Sequence, residues 1–170
     1  ALSISSFVRI RNSMDASEWV THSHQVNLEL ERTYTSLVTA ESAQRGYLLS
    51  RDSTFLTTYS RALEKVSVHL DSIQSLTRDN PNQQENIDKL RSFVQERIGY
   101  LKVVLNTPNP FGDPKLLIPG RTMMESVVLQ MQKMQHEEEV LMKDRIERLE
   151  RESFSTPLLT SILVIGIVCV

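Results

Sequence analysis

The chain has 170 residues, 40% of them hydrophobic and 24% charged, which is the composition of one ordered domain and excludes intrinsic disorder. Net charge is −2, so no basic field is available to hold nucleic acid. Five glycines and six prolines leave too few turn formers for a many-stranded sheet, and the single cysteine, Cys169, excludes a disulfide framework or a cysteine-based zinc site.

Ala1 to Val8 carries no charge and is followed by Arg9 and Arg11. Residues 1–14 therefore read as a juxtamembrane segment or the end of a first membrane helix, although arginines there sit awkwardly with the positive-inside rule if that end faces outward. A first long helix is expected from Asp15 to Leu49. Its predicted buried stripe is Val20, His24, Asn27, Leu30, Tyr34, Leu37, Glu41, Gln44 and Leu48, at spacings of three and four.

Asp52-Ser53 supplies N-cap chemistry for a second helix, whose stripe is Phe55, Tyr59, Ala62, Val66, Leu70, Ile73 and Leu76. The turn Asp79-Asn80-Pro81-Asn82-Gln83 follows. Asn80 is expected to cap, Pro81 to take the first helical position, and Gln83 to reach back as a capping-box residue. A third helix uses Ile87, Leu90, Val94, Ile98, Leu101 and Val104, and ends in a loop from Asn106 rich in proline. Pro119-Gly120 is expected to close that loop. The fourth helix, from Arg121 to Ser153, carries Met124, Val127, Met131, Met134, Glu138, Leu141, Arg145 and Leu149 on one side.

The fold class is thus all-α, an up-down-up-down four-helix bundle over residues 15–153. Residues 154–170 follow as the start of a second, truncated membrane helix. No residue from Ser153 to Val170 is charged, and Pro157 marks the expected junction. Four crossings return both termini to one end, beside the membrane, with the Pro-rich loop at the far end.

Glu41 and Arg45, four apart, suit an intrahelical ion pair. Its structural reading is a clamp that fixes helix register. Its functional reading is a ligand contact in which Arg45 receives an anion. Gly46 costs a helix about 1 kcal/mol relative to alanine, and close approach of a neighbouring helix is the expected compensation. His22, His24, His69 and His136 lack metal-ligand spacing, and the methionines of the fourth helix read as core packing. No metal, cofactor or catalytic constellation is expected, and the fragment is not expected to be an enzyme by itself.

Several blocks resemble a known family. They are Val20-Thr21-His22-Ser23-His24-Gln25-Val26, Ala40 to Asp52 with Phe55-Leu56 and Tyr59, Leu76 to Gln84, Met123-Met124, and Glu139 to Arg145. Together they resemble type three of the CHASE domains, the cyclase- and histidine-kinase-associated sensory extracellular domains. The resemblance runs from about Val20 to Arg145. It implies an extracytoplasmic helical sensor in the bacterial inner membrane, paired as a homodimer. A small-molecule or protein stimulus would be relayed to a cytoplasmic output, a histidine kinase above all, with chemoreceptor or cyclase outputs as alternatives. The candidate ligand-binding or register-setting residues are Glu41, Gln44, Arg45, Tyr47 and Arg51, with Asn80, Pro81 and Gln83 at the turn. A membrane-anchored structural or adaptor bundle without ligand, and a soluble ligand- or haem-carrying bundle, are the competing readings.

Overall fold

The computed structural model describes residues 2–108, 110, 114–116 and 118–168. Among them are four α-helices and no strand: α1 (Leu2–Ser50), α2 (Thr54–Leu76), α3 (Pro81–Asn106) and α4 (Ile118–Val168), with a 3-10 turn at Pro114–Leu116. α1 begins well before the expected Asp15. Nothing between Leu2 and Asp15 breaks a helix, because neither glycine nor proline occurs there. α4 also outruns its expected bounds. Pro119 and Gly120 belong to its first turn rather than to the loop, since a proline there forfeits no hydrogen bond. The helix also continues through Pro157, the expected junction, to Val168. Of the expected Pro-rich loop, residues 109, 111–113 and 117 lie outside the described residues.

The chain divides into two compact units. The larger, Gln25–His136, is the bundle: the C-terminal part of α1, all of α2 and α3, and the start of α4. Its core gathers Leu30 and Leu37 from α1, Leu70 and Ile73 from α2, Leu90 and Val94 from α3, and Val127 and Met134 from α4. Burying each such side chain contributes about 1.5–3 kcal/mol relative to leaving it in water. The predicted stripe of α2 is buried from Tyr59 to Ile73, with Phe55 and Leu76 half-buried at its ends; α3 buries Ile87, Leu90, Val94 and Leu101 of its stripe but sets Arg97 where Ile98 was expected, leaving Ile98 and Val104 half-buried.

The stripe of α1 differs. Val20 and Tyr34 are 45% and 41% exposed, and His24 is exposed too. Within the bundle the buried seam is Val26, Leu30, Thr33, Leu37, Ala40 and Gln44, a strict alternation of three and four. The expectation placed Asn27, Tyr34 and Glu41 where the seam uses their neighbours, the apolar Val26 and the smaller Thr33 and Ala40. Small residues win because they let the helices approach, and Thr33 satisfies its hydroxyl on its own helix by donating to the Glu29 carbonyl at 2.8 Å.

The turns follow local chemistry. Arg51 closes α1 at φ 61°, with its N–H on the Tyr47 carbonyl at 2.8 Å. Ser53 is the N-cap of α2 but makes no side-chain cap bond. Asp52 does that work, with Oδ1 accepting from the N–H and hydroxyl of Thr54 at 2.8 Å each. Asn80 caps α3 as expected, accepting from the N–H groups of Asn82 and Gln83, with Pro81 opening the helix. Gln83 departs from expectation. It is fully buried, and its carboxamide nitrogen donates to the Met134 carbonyl on α4 at 3.0 Å. A reach across the bundle thus replaces the capping-box reach back along the chain.

The smaller unit comprises Ala1–His24 and Glu137–Val170. In it Ser23 Oγ donates to Oε2 of the buried Glu138 at 3.1 Å. The Arg145 guanidinium stacks 3.6 Å above the Trp19 ring centroid, and His22 meets Trp19 edge-on. Among the described residues no helix is long and apolar enough to cross a membrane. The expected membrane segment, 154–170, has its side chains and its last two residues outside the described ones.

Candidate functional site

Within the bundle α1 touches α2 and α3, and α3 touches α2 and α4. Glu29 of α1 meets His69 of α2 at 2.7 Å. Arg91 of α3 meets Asp71 of α2 at 2.8 Å. Gln130 of α4 donates to the Asn86 carbonyl of α3 at 3.1 Å. Between α1 and α4, with α3 as its floor, lies a groove of about 920 Å³. That size falls in the ordinary range of small-molecule sites, roughly 300–1,000 Å³.

The polar end of the groove is a set of charged residues around Glu41. Its Oε1 accepts from Arg45 on the next turn of α1, and its Oε2 lies 2.7 Å from Nη2 of Arg97 on α3. Burial pushes the Glu41 carboxyl up, but the bonds from Arg45 and Arg97 outweigh it and hold the group below its ordinary range. Gln44, one turn along the buried seam, donates its side-chain amide to the Leu101 carbonyl of α3. Arg97 is only 5% exposed, whereas Arg45 is 61% exposed at the rim. Tyr100 donates its hydroxyl to the Leu116 carbonyl and so ties α3 to the segment that leads into α4. On the far wall Arg121 pairs with Glu125 at 2.8 Å. The remaining walls are apolar, formed by Leu48, Val104, Met124, Val128 and Leu129.

Three of the predicted site residues therefore meet here: Glu41, Gln44 and Arg45. Tyr47 and Arg51 do not line the groove. They end α1, with the Arg51 guanidinium 5.7 Å from the Tyr47 ring centroid. Asn80, Pro81 and Gln83 belong to the α2–α3 turn and also stand apart from it. Sequence reasoning missed Arg97 and Tyr100. A signal for Arg97 was present, because a charged residue occupies a seam position between Val94 and Leu101, just as the polar Gln44 occupies one on α1. Gly46 admits a side chain rather than a backbone: a Cβ there would lie 2.5 Å from Phe55 ring carbons of α2.

Two of the histidines make contacts within the fold and two are exposed. His69 pairs with Glu29, His22 packs on Trp19, and His24 and His136 are exposed. Among the described residues no group of three or more His, Cys, Asp or Glu is placed to hold a metal ion.

The sequence profile of the CHASE3 domain matches residues 16–148. No curated protein matches the chain. Among solved structures, the sensor domain of the Rhodopseudomonas palustris histidine kinase HK9 is similar, at 21% identity and a TM-score of 0.48, covering 80% of this chain and 98% of that one.

Proposed function

The chain belongs to the CHASE3 domain family, sensory domains of signalling receptors, and from that premise we propose that it is the extracytoplasmic sensor of a bacterial transmembrane histidine-kinase receptor. The observation that carries this reading is the family match over residues 16–148, which draws on all four helices. The uncharged run from Ser153 to Val170 supports a membrane segment directly after the sensor, with the receptor in the inner membrane. In this reading the receptor works as a homodimer.

The stimulus acts by changing how α1 and α4 sit against each other within the bundle. These are the first and last of the described helices, and the groove lies between them. Such relay needs two packings of similar energy, and a seam carrying Thr33 and Gln44 and flanked by the shared Glu41 carboxylate, rather than uniform leucine, keeps alternatives close.

Topology tests the reading. Arg78, exposed beside the α2–α3 turn, is replaced by cysteine in a Cys169→Ser background of the full-length protein. A membrane-impermeant maleimide should label it in intact cells. Labelling only after lysis would place the domain in the cytoplasm and end the proposal.

A further inference from the structure

We infer that the groove between α1, α3 and α4 binds a small organic carboxylate with an apolar body. The inference deepens the sensory reading and rests on it for its role in the cell, although the binding itself can be measured without it.

Charge at the groove does not balance. Its lining holds three guanidiniums, Arg45, Arg97 and Arg121, against two carboxylates, Glu41 and Glu125. Arg121 and Glu125 pair with each other in the open, four apart on α4. That leaves Arg45 and Arg97 on the single carboxylate of Glu41. A guanidinium offers five N–H donors in a planar fork. One carboxylate divided between two such forks leaves each half used.

Arg45 completes its hydration at the rim, but Arg97 is 5% exposed and cannot. Its Nε is buried without a hydrogen-bond partner among the described residues. Its Nη1 lies 3.2 Å from the point a Cβ on Gly120 would occupy, so the guanidinium rests against the first turn of α4. The N–H groups of a helix's first turn have no intrahelical acceptors and favour an anion. A buried charge of this kind requires a full set of partners; Nε lacks an acceptor, and the excess of positive charge in the groove favours a negative one.

The rest of the lining selects the body of the ligand. Met124, Val128 and Leu129 on α4 face Leu48 and Val104 across the groove, and Leu129 is 65% exposed. An inorganic anion gains nothing from those walls, whereas a hydrocarbon or aromatic body removes them from water. An excess of one positive charge matches a monocarboxylate rather than a dianion. Seated so, the ligand joins Arg97 of α3 and Arg45 of α1 to the apolar face of α4.

The test is calorimetric titration of the 170-residue chain with octanoate and benzoate, each beside its neutral amide, and with inorganic phosphate. At least one carboxylate should bind, its amide should bind tenfold or more weakly, roughly one charge-assisted hydrogen bond's worth, and phosphate no better than the amide. The double variant Glu41→Gln/Arg97→Met removes both partners together, so that no lone buried charge is left. It should melt cooperatively and lose the preference for carboxylate over amide. Met124→Trp should fill the apolar end and weaken both probes. Failure of both carboxylates to bind the wild-type chain would overturn the site, as would a groove covered by a second copy. So would equal binding of acid and amide, phosphate binding as tight as the acids, or unchanged selectivity in the folded double variant. Such a failure removes this site only; the receptor reading turns on topology and output.

Discussion

Arg97 on α3 sets its Nη2 2.7 Å from Oε2 of Glu41 on α1, while Arg45 takes the other oxygen of the same carboxylate. The three groups are not equivalent. Arg97 is buried and depends on Glu41, but Glu41 has a second partner in Arg45. Glu41→Leu therefore strands a buried charge and should cost about 3–5 kcal/mol, whereas Arg97→Met leaves an ion pair behind and should cost clearly less. Urea unfolding of both single variants and the double variant measures the asymmetry. Equal costs would mean that Arg97 finds its compensation elsewhere.

Acid should weaken the bundle through two carboxylates. Burial raises the Glu29 carboxyl, and bonds from His69 and Arg32 then bring it below its ordinary value of 4.5; Glu41 behaves likewise under Arg45 and Arg97. A depressed folded-state value means the unfolded chain binds protons more readily. The stabilisation is thus complete above about pH 4.5, the unfolded value, and is lost as pH falls through the folded values. Thermal melts between neutral pH and pH 3 should show a steeper loss for the wild type than for a Glu29→Gln/Glu41→Gln variant, whose profile should be flatter.

Gly46 has opposing terms. Alanine gains about 1 kcal/mol of helix propensity but would set its Cβ 2.5 Å from the Phe55 ring. Overpacking costs about 1–3 kcal/mol, so Gly46→Ala should destabilise on balance. In a Phe55→Ala background the clash is gone and the same change should stabilise. Chemical denaturation of the four proteins checks the reversal of sign.

Asn80 accepts from two backbone N–H groups at the start of α3, at 3.1 and 3.3 Å. Asn80→Ala should cost about 1 kcal/mol, and Asn80→Asp should recover most of it. Hydrogen exchange at the first turn of α3 should rise in the alanine variant.

Much of this architecture was legible in the sequence. The stripe of α2 is read from its apolar residues because that helix buries apolar residues almost alone, whereas α3 also buries Gln83, Asn86 and Arg97. α1 hid part of its seam because Thr33 and Ala40 are small or polar and larger neighbours such as Tyr34 drew the reading round the helix, whereas Gln44 was placed correctly. The start of α4 was misplaced because Pro119-Gly120 suits a loop as well as a first helical turn. At the site, the Glu41–Arg45 pair lies within one helix and is visible from spacing alone. Arg97 stands 56 positions from Glu41, and only the fold brings the two together. The groove depends on how α4 sits against α1 and α3, which no local pattern encodes.

The competing reading of a structural tether and the sensory one part company over output. The decisive measurement is phosphorylation output of the full-length receptor in membranes, for the wild type beside Gln44→Leu and Arg97→Met. Each variant repacks the seam between α1 and α3 without touching the output domain. A sensor should move to a fixed output, tenfold or so above or below the wild type, since a bias of about 1.4 kcal/mol between two states is enough. Wild-type output from both variants, with each folded and inserted in the membrane, would contradict the account.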